Sequence, residues 1–140
     1  MHHLFVTGTD TGVGKTVVAA GLTRLLADRG EAVAPYKPVE TGTELEPDPG
    51  RPADACFLAE AARWADPSEA ITETYREPLA PLVAARREER PVDPELLDAH
   101  FEYLTETYGR VLVEGAGGLS VPITEELDMA GLAARWSLPV

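Results

Sequence analysis

The chain predicts an α/β fold, a mostly parallel sheet with helices on both faces. Short apolar runs of strand length alternate with longer stretches of helical periodicity. The first run leads straight into a glycine-rich loop and then a helix. Strand and helix in alternation put successive strands parallel, with right-handed crossovers. The whole of 1–140 is expected to form one domain, and that length can bury a real core.

The first strand is expected at Leu4-Phe5-Val6-Thr7. The loop Gly8 to Gly14 follows, then a helix from Lys15 to about Arg29 with Val18, Leu22, Leu25 and Leu26 on one face and Gly30 beyond its end. Ala32 to Tyr36 reads as a second strand. Gly42 to Pro52, rich in Pro, Gly and Glu, reads as a long loop. Ala53 to Ala65 is helical in pattern, with Phe57, Leu58 and Ala61 on one face. Ile71 to Arg90 is ambiguous because Pro78 and Pro81 interrupt it. Pro94 to Tyr108 aligns Leu97, Phe101, Leu104 and Tyr108, and Pro94 suits a first helical turn. Arg110 to Val113 begins a buried strand closed by Glu114. Leu127 to Trp136 reads as a helix, and Pro139-Val140 as the start of a further strand, so the fold is expected to be incomplete at the C-terminus.

With 24 acidic and 12 basic side chains the net charge is −12, which repels nucleic acid and anionic membrane. No apolar run is long enough to span a bilayer, and Leu4 to Val6 is too short for a signal peptide. The single Cys56 cannot form an internal disulfide, so a cytoplasmic location is expected. A nucleotide would be repelled by the same field unless a local cationic site overrides it.

The strongest motif is Gly8-Thr9-Asp10-Thr11-Gly12-Val13-Gly14-Lys15-Thr16. Its first Gly stands one place earlier than the G-x-x-x-x-G-K-[ST] spacing of a phosphate loop, and Thr9 takes the place that spacing gives to Gly. The physics survives: glycines let the backbone turn N–H groups inward, and a helix starting near Lys15 aims its positive end at the same point. Lys15 adds a charge for β- and γ-phosphates, and Thr16 a hydroxyl for Mg²⁺. These parts together are those of a P-loop NTPase fold that binds ATP.

Lys15 and Lys37 are the only lysines, and Lys37 follows the expected second strand, at the strand end where open α/β sheets bind ligands. Both are candidate catalytic residues, and replacing Lys37 by Gln or Leu is expected to remove turnover while keeping the fold. Glu114 ends a buried strand and opens Gly115-Ala116-Gly117-Gly118, where an acid commonly serves Mg²⁺ and glycines permit close approach to a ligand. Asp54 stands at a helix start, where Asp is often a cap; with Thr16 and Glu114 it makes an all-oxygen Mg²⁺ set. His2, His3 and His100 have no ligand-like spacing and read as surface residues.

Val6-Thr7-Gly8-Thr9-Asp10-Thr11, Val13-Gly14-Lys15-Thr16, Lys37-Pro38-Val39 with Thr41-Gly42, Asp54, and Val113-Glu114-Gly115-Ala116-Gly117-Gly118 together resemble the dethiobiotin synthetases, early Gly8 included. The resemblance runs along essentially the whole chain and is weak over Gly42–Pro52 and Asp66–Tyr108. It implies an ATP-dependent cyclo-ligase of biotin biosynthesis: 7,8-diaminononanoate, CO₂ and MgATP give dethiobiotin, ADP and phosphate. It places phosphate on the backbone of Gly12, Val13, Gly14, Lys15, Thr16 and Val17, and further nucleotide contacts on Asp54, Glu114, Gly115, Ala116 and Gly117. The metal would fall to Thr16, Asp54 and Glu114, and the diamine and carbamate to Thr11, Thr41 and Gly117. The family's chains are longer and homodimeric, with further strands, part of the adenine site and a carboxylate site beyond the position of Val140. Two alternatives stay open on the residues: a related ligase that amidates corrin carboxylates, and a nucleotide-switch ATPase. The first is disfavoured by Lys37-Pro38-Val39 with Thr41-Gly42. The second is disfavoured by the absence of a Lys in the loop before Lys15.

Overall fold

A computed structural model describes residues 3–140. Four strands, β1 (His3–Val6), β2 (Val33–Thr41), β3 (Ile71–Tyr75) and β4 (Arg110–Glu114), form one sheet in the order β1-β4-β2-β3. All three pairings are parallel. The five helices are α1 (Lys15–Asp28), α2 (Ala53–Ala61), α3 (Pro81–Arg87), α4 (Pro94–Tyr108) and α5 (Met129–Arg135). A large cluster around Tyr36, Leu97, Phe101, Leu104, Val111 and Leu132 unites the sheet with α3, α4 and α5. A separate small one, Val6 with Ala19, Ala20 and Leu58, joins it to α1 and α2. The parallel α/β architecture is the expected one.

Helix α4 starts and stops as its sequence dictates. The Asp93 carboxylate accepts from the Glu95 and Leu96 N–H groups, Pro94 fills the first turn, and Gly109 takes the left-handed conformation at φ 70° that ends the helix. Leu97, Phe101 and Leu104 are buried along one face. The ambiguous Ile71–Arg90 segment resolves into β3 and α3.

Other expectations are corrected. In α1 the buried residues are Lys15, Ala19, Ala20 and Thr23, while Val18 and Leu25 are exposed. Small side chains let the helix lie close on the sheet, and the bulkier row is turned outward. Helix α2 is shorter than expected, and Phe57 is exposed while Leu58 is fully buried. The second strand does not stop at Tyr36 but runs to Thr41, through Pro35 and Pro38. A central strand seldom tolerates proline, which has no N–H to donate. Here β2 pairs with β4 only over Val33–Tyr36 and with β3 only from Lys37 to Thr41, so each stretch has one ladder to serve. Pro139 and Val140 form no strand, although the Phe5 N–H donates to the Pro139 carbonyl at 2.8 Å.

The histidines are not surface residues where they are described. His100 joins the Thr72 hydroxyl at 2.7 Å to the Glu69 carbonyl at 3.0 Å, half-buried against Tyr36. His3 sits in β1, where its Nδ1 accepts from the Val111 N–H at 3.2 Å. His2 lies outside the described residues. Cys56 is a free thiol. Among the described residues no helix is long and apolar enough to cross a membrane.

Candidate functional site

The parallel sheet brings the ends of β1 and β4 and the middle of β2 to one edge, and a cleft of about 440 Å³ opens there. Its lining includes Thr11, Gly12, Gly14, Lys15, Thr16 and Val17 from the first loop and helix. Lys37, Thr41, Asp54, Glu114, Ala116 and Gly117 complete the expected set, and Glu40 joins them. Of the expected residues only Val13 and Gly115 do not line it.

The loop after β1 is built by glycine. A Cβ on Gly8 would stand 2.5 Å from the Val13 side chain, so that position admits no other residue without movement. Gly12 and Gly14 take φ 74° and 105°, a region costly to other residues. Gly14 stands at the N-cap of α1, and no side chain caps that helix start, so its first N–H groups are left without a side-chain partner. Lys15 is 8% exposed, and its ammonium donates to the Asp10 carbonyl across the loop at 2.6 Å.

Packing requires two of the glycines after Glu114. A Cβ on Gly115 would meet the Phe5 ring at 2.9 Å, and one on Gly118 would meet the Gly8 carbonyl oxygen at 3.3 Å. Glycine at these positions lets the segment press on β1 and the phosphate loop.

Lys37 is not at the end of its strand. It stands in mid-β2, where the β4 ladder has ended, and it is 3% exposed. Its ammonium donates to Asp54 Oδ2 at 2.7 Å, to Glu114 Oε1 at 2.9 Å and to the Gly115 carbonyl at 3.5 Å. The Thr16 hydroxyl donates to the same Glu114 Oε1 at 2.7 Å. Thr16, Asp54 and Glu114, from three separate segments, therefore meet around one lysine. Burial alone would lower the Lys37 pKa, but the charges and hydrogen bonds of Glu114 and Asp54 outweigh it and hold the ammonium above the ordinary lysine range.

Hard oxygen donors of this kind suit Mg²⁺. Glu114 Oε2 is buried and has no hydrogen-bond partner among the described residues, an orphan acceptor that a cation would satisfy. The charge balance points the same way. Both lysines face the cleft, but so do Asp54 and Glu114, so the lysines alone do not make the cationic site expected from the sequence. A divalent cation on Asp54 and Glu114 would reverse the balance. Among the described residues no three His, Cys, Asp or Glu side chains gather as a metal cage.

Glu40 was not singled out from sequence. It is 6% exposed, and its two oxygens accept from the Asp54 N–H at 2.9 Å and the Ala55 N–H at 3.0 Å. Burial pushes its carboxyl up to about 7 against the pull of those two donors. The available signal was at the other end of the contact. Pro52 precedes α2, offering no side-chain acceptor for the helix's first N–H groups. Asp54 is accordingly not the cap of its helix.

The chain is similar in sequence to several dethiobiotin synthetases. The ATP-dependent dethiobiotin synthetase BioD of Anaeromyxobacter dehalogenans is 45% identical over 141 aligned residues, covering 100% of this chain and 61% of that protein. The one from Aquifex aeolicus is 40% identical over 137 residues, covering 98% and 60%. That of Pseudescherichia vulneris is 40% identical over 137 residues, covering 97% and 57%. The chain thus spans less than two thirds of the length of these relatives. The family described as AAA domain (AAA_26) matches residues 2–140, taking in every strand and helix of the sheet and its cleft, and the chain belongs to that family.

Proposed function

We propose that the chain carries the nucleotide and carbamate chemistry of dethiobiotin synthesis. CO₂ adds to one amine of 7,8-diaminononanoate with loss of a proton, giving a carbamate. A carbamate oxygen attacks the γ-phosphorus of ATP and ADP leaves. The second amine attacks the carbonyl carbon of the mixed anhydride, phosphate leaves, and the cyclic urea closes. The observation that carries the reading is the buried Lys37 held between Asp54 and Glu114, with Thr16 on the same carboxylate, beside a glycine-built phosphate loop. The named relatives support it independently.

The positions of these residues in the cleft support a role for each. The backbone N–H groups from Gly12 to Val17 would cradle phosphate, and Lys15 would turn from the Asp10 carbonyl to the β- and γ-phosphates. Thr16, Asp54 and Glu114 would hold Mg²⁺, which when bound supplies charge neutralisation between phosphate oxygens. Lys37 would stabilise charge on the transferring phosphoryl group and the carbamate, two anions that repel without cations between them. Thr11, Thr41 and Gly117, which also line the cleft, would face the diamine. No covalent nucleophile from the protein is needed, because the carbamate oxygen and the second amine attack by themselves once positioned. The resemblance also supports a homodimeric whole protein, and the free Cys56 thiol is at home in a reducing cytoplasm.

Calorimetric titration with MgATP, followed by phosphate release with bicarbonate and the diamine, tests the reading. Nucleotide binding and diamine-dependent phosphate release, with the cyclic urea identified by mass, are the expected results. Nucleotide binding with phosphate release indifferent to the diamine would overturn the substrate assignment and favour a switch ATPase.

A further inference from the structure

We infer that Glu40 is a positioning residue that sets Asp54 in place for the metal-nucleotide site, an inference that rests on the reading of Asp54 as a Mg²⁺ ligand. Asp54 sits one residue inside α2, and its side chain is 38% exposed, so burial does little to hold it. It is held instead at two points from a single strand. The Lys37 ammonium takes its carboxylate, and the Glu40 carboxylate takes its backbone N–H together with that of Ala55. Lys37 and Glu40 are both in β2, whose position is fixed by β3 on one side and β4 on the other.

The need for Glu40 is local. The chain leaves β2 at Thr41, makes a long excursion and returns as α2 with Pro52 before its first turn. The first four N–H positions of a helix lack intrahelical partners; Pro52 has no N–H, and two of the remaining three are met by the Glu40 carboxyl. Two directional hydrogen bonds into one buried carboxyl fix where α2 begins and thereby where Asp54 points. Outer partners that orient a ligand commonly matter to metal affinity by 10–100-fold.

A plain helix cap would affect stability and nothing else, which gives the test its contrast. ATP affinity is measured by calorimetry with Mg²⁺ and with EDTA in wild type, Glu40→Ala, Glu40→Gln and Asp54→Ala, alongside amide hydrogen exchange at residues 54 and 55. Glu40→Ala is expected to reduce the Mg²⁺-dependent gain in affinity by about tenfold or more. Glu40→Gln, which retains one acceptor oxygen, should fall between it and wild type. Both should speed exchange at the two amides. If Glu40→Ala is too unstable to titrate, Glu40→Gln alone decides the matter by the same ratio. An unaltered Mg²⁺ gain with faster exchange makes Glu40 a cap only and overturns the inference while leaving the metal reading intact. An Asp54→Ala protein with its Mg²⁺ gain unaltered removes the metal reading itself, and the inference with it.

Discussion

The cleft edge of the sheet and the face under α4 bury side chains for opposite reasons. Under α4, Tyr36, Leu97, Phe101, Leu104 and Val111 form a continuous apolar layer, with Trp136 stacked on Phe101 at 4.5 Å. At the cleft edge the buried groups are Lys15, Lys37, Glu40 and Glu114. Desolvating charges is costly even when they are paired, so such a cluster is poor value as a stabiliser. The comparison teaches that stability resides in the α4 face, while the cleft edge, on the proposed reading, is tolerated because its groups would meet a ligand.

The largest expected effect is at Lys37. Lys37→Leu should reduce turnover by several orders of magnitude in steady-state assays, since it removes charge stabilisation specific to the transferring group. Sequence alone makes this change neutral to the fold. The structure predicts otherwise: Glu114, 1% exposed, would be left uncompensated next to Asp54, at about 3–5 kcal/mol in denaturant unfolding. The double variant Lys37→Leu with Glu114→Leu should recover much of that stability and none of the turnover. If stability and turnover recover together, the two regions do not differ as described.

Lys15→Ala should weaken MgATP binding by about a hundredfold or more by calorimetry, with a small change in melting, because it removes charge-assisted bonds to phosphate. Leu104→Ala should do the reverse: about 2–5 kcal/mol of stability lost, with nucleotide affinity kept in the folded fraction.

The smallest effect is that of pH through His100. Burial lowers its pKa, with the Glu69 carbonyl and charge opposing. The unfolded chain then binds the proton more readily than the folded one. The stabilisation is full above the ordinary value of 6.5 and is lost as pH falls below it. His100→Gln should flatten that acid limb in denaturant melts across pH 5–8.

What was legible in the sequence divides along the same line. Helix α4 could be read because its first-turn proline and its apolar period agree; the Asp93 cap and Gly109 at its end were further signals. The phosphate loop could be read because only glycines permit its turns. The α1 face could not, since the core took its small residues and left Leu25 outside. The length of β2 was hidden by Pro38, which a strand accepts only when its partners change partway. Glu40 was hidden because the contact that defines it joins a strand to a helix start far along the chain.

The most direct test of the central claim, that Thr16, Asp54 and Glu114 with Lys37 form a metal-nucleotide site, is the Mg²⁺ dependence of ATP affinity in Glu114→Gln. Calorimetry with Mg²⁺ and with EDTA should find that wild type gains affinity from the metal and that Glu114→Gln has lost most of that gain. A Glu114→Gln protein whose ATP affinity still rises with Mg²⁺ as wild type's does would contradict it.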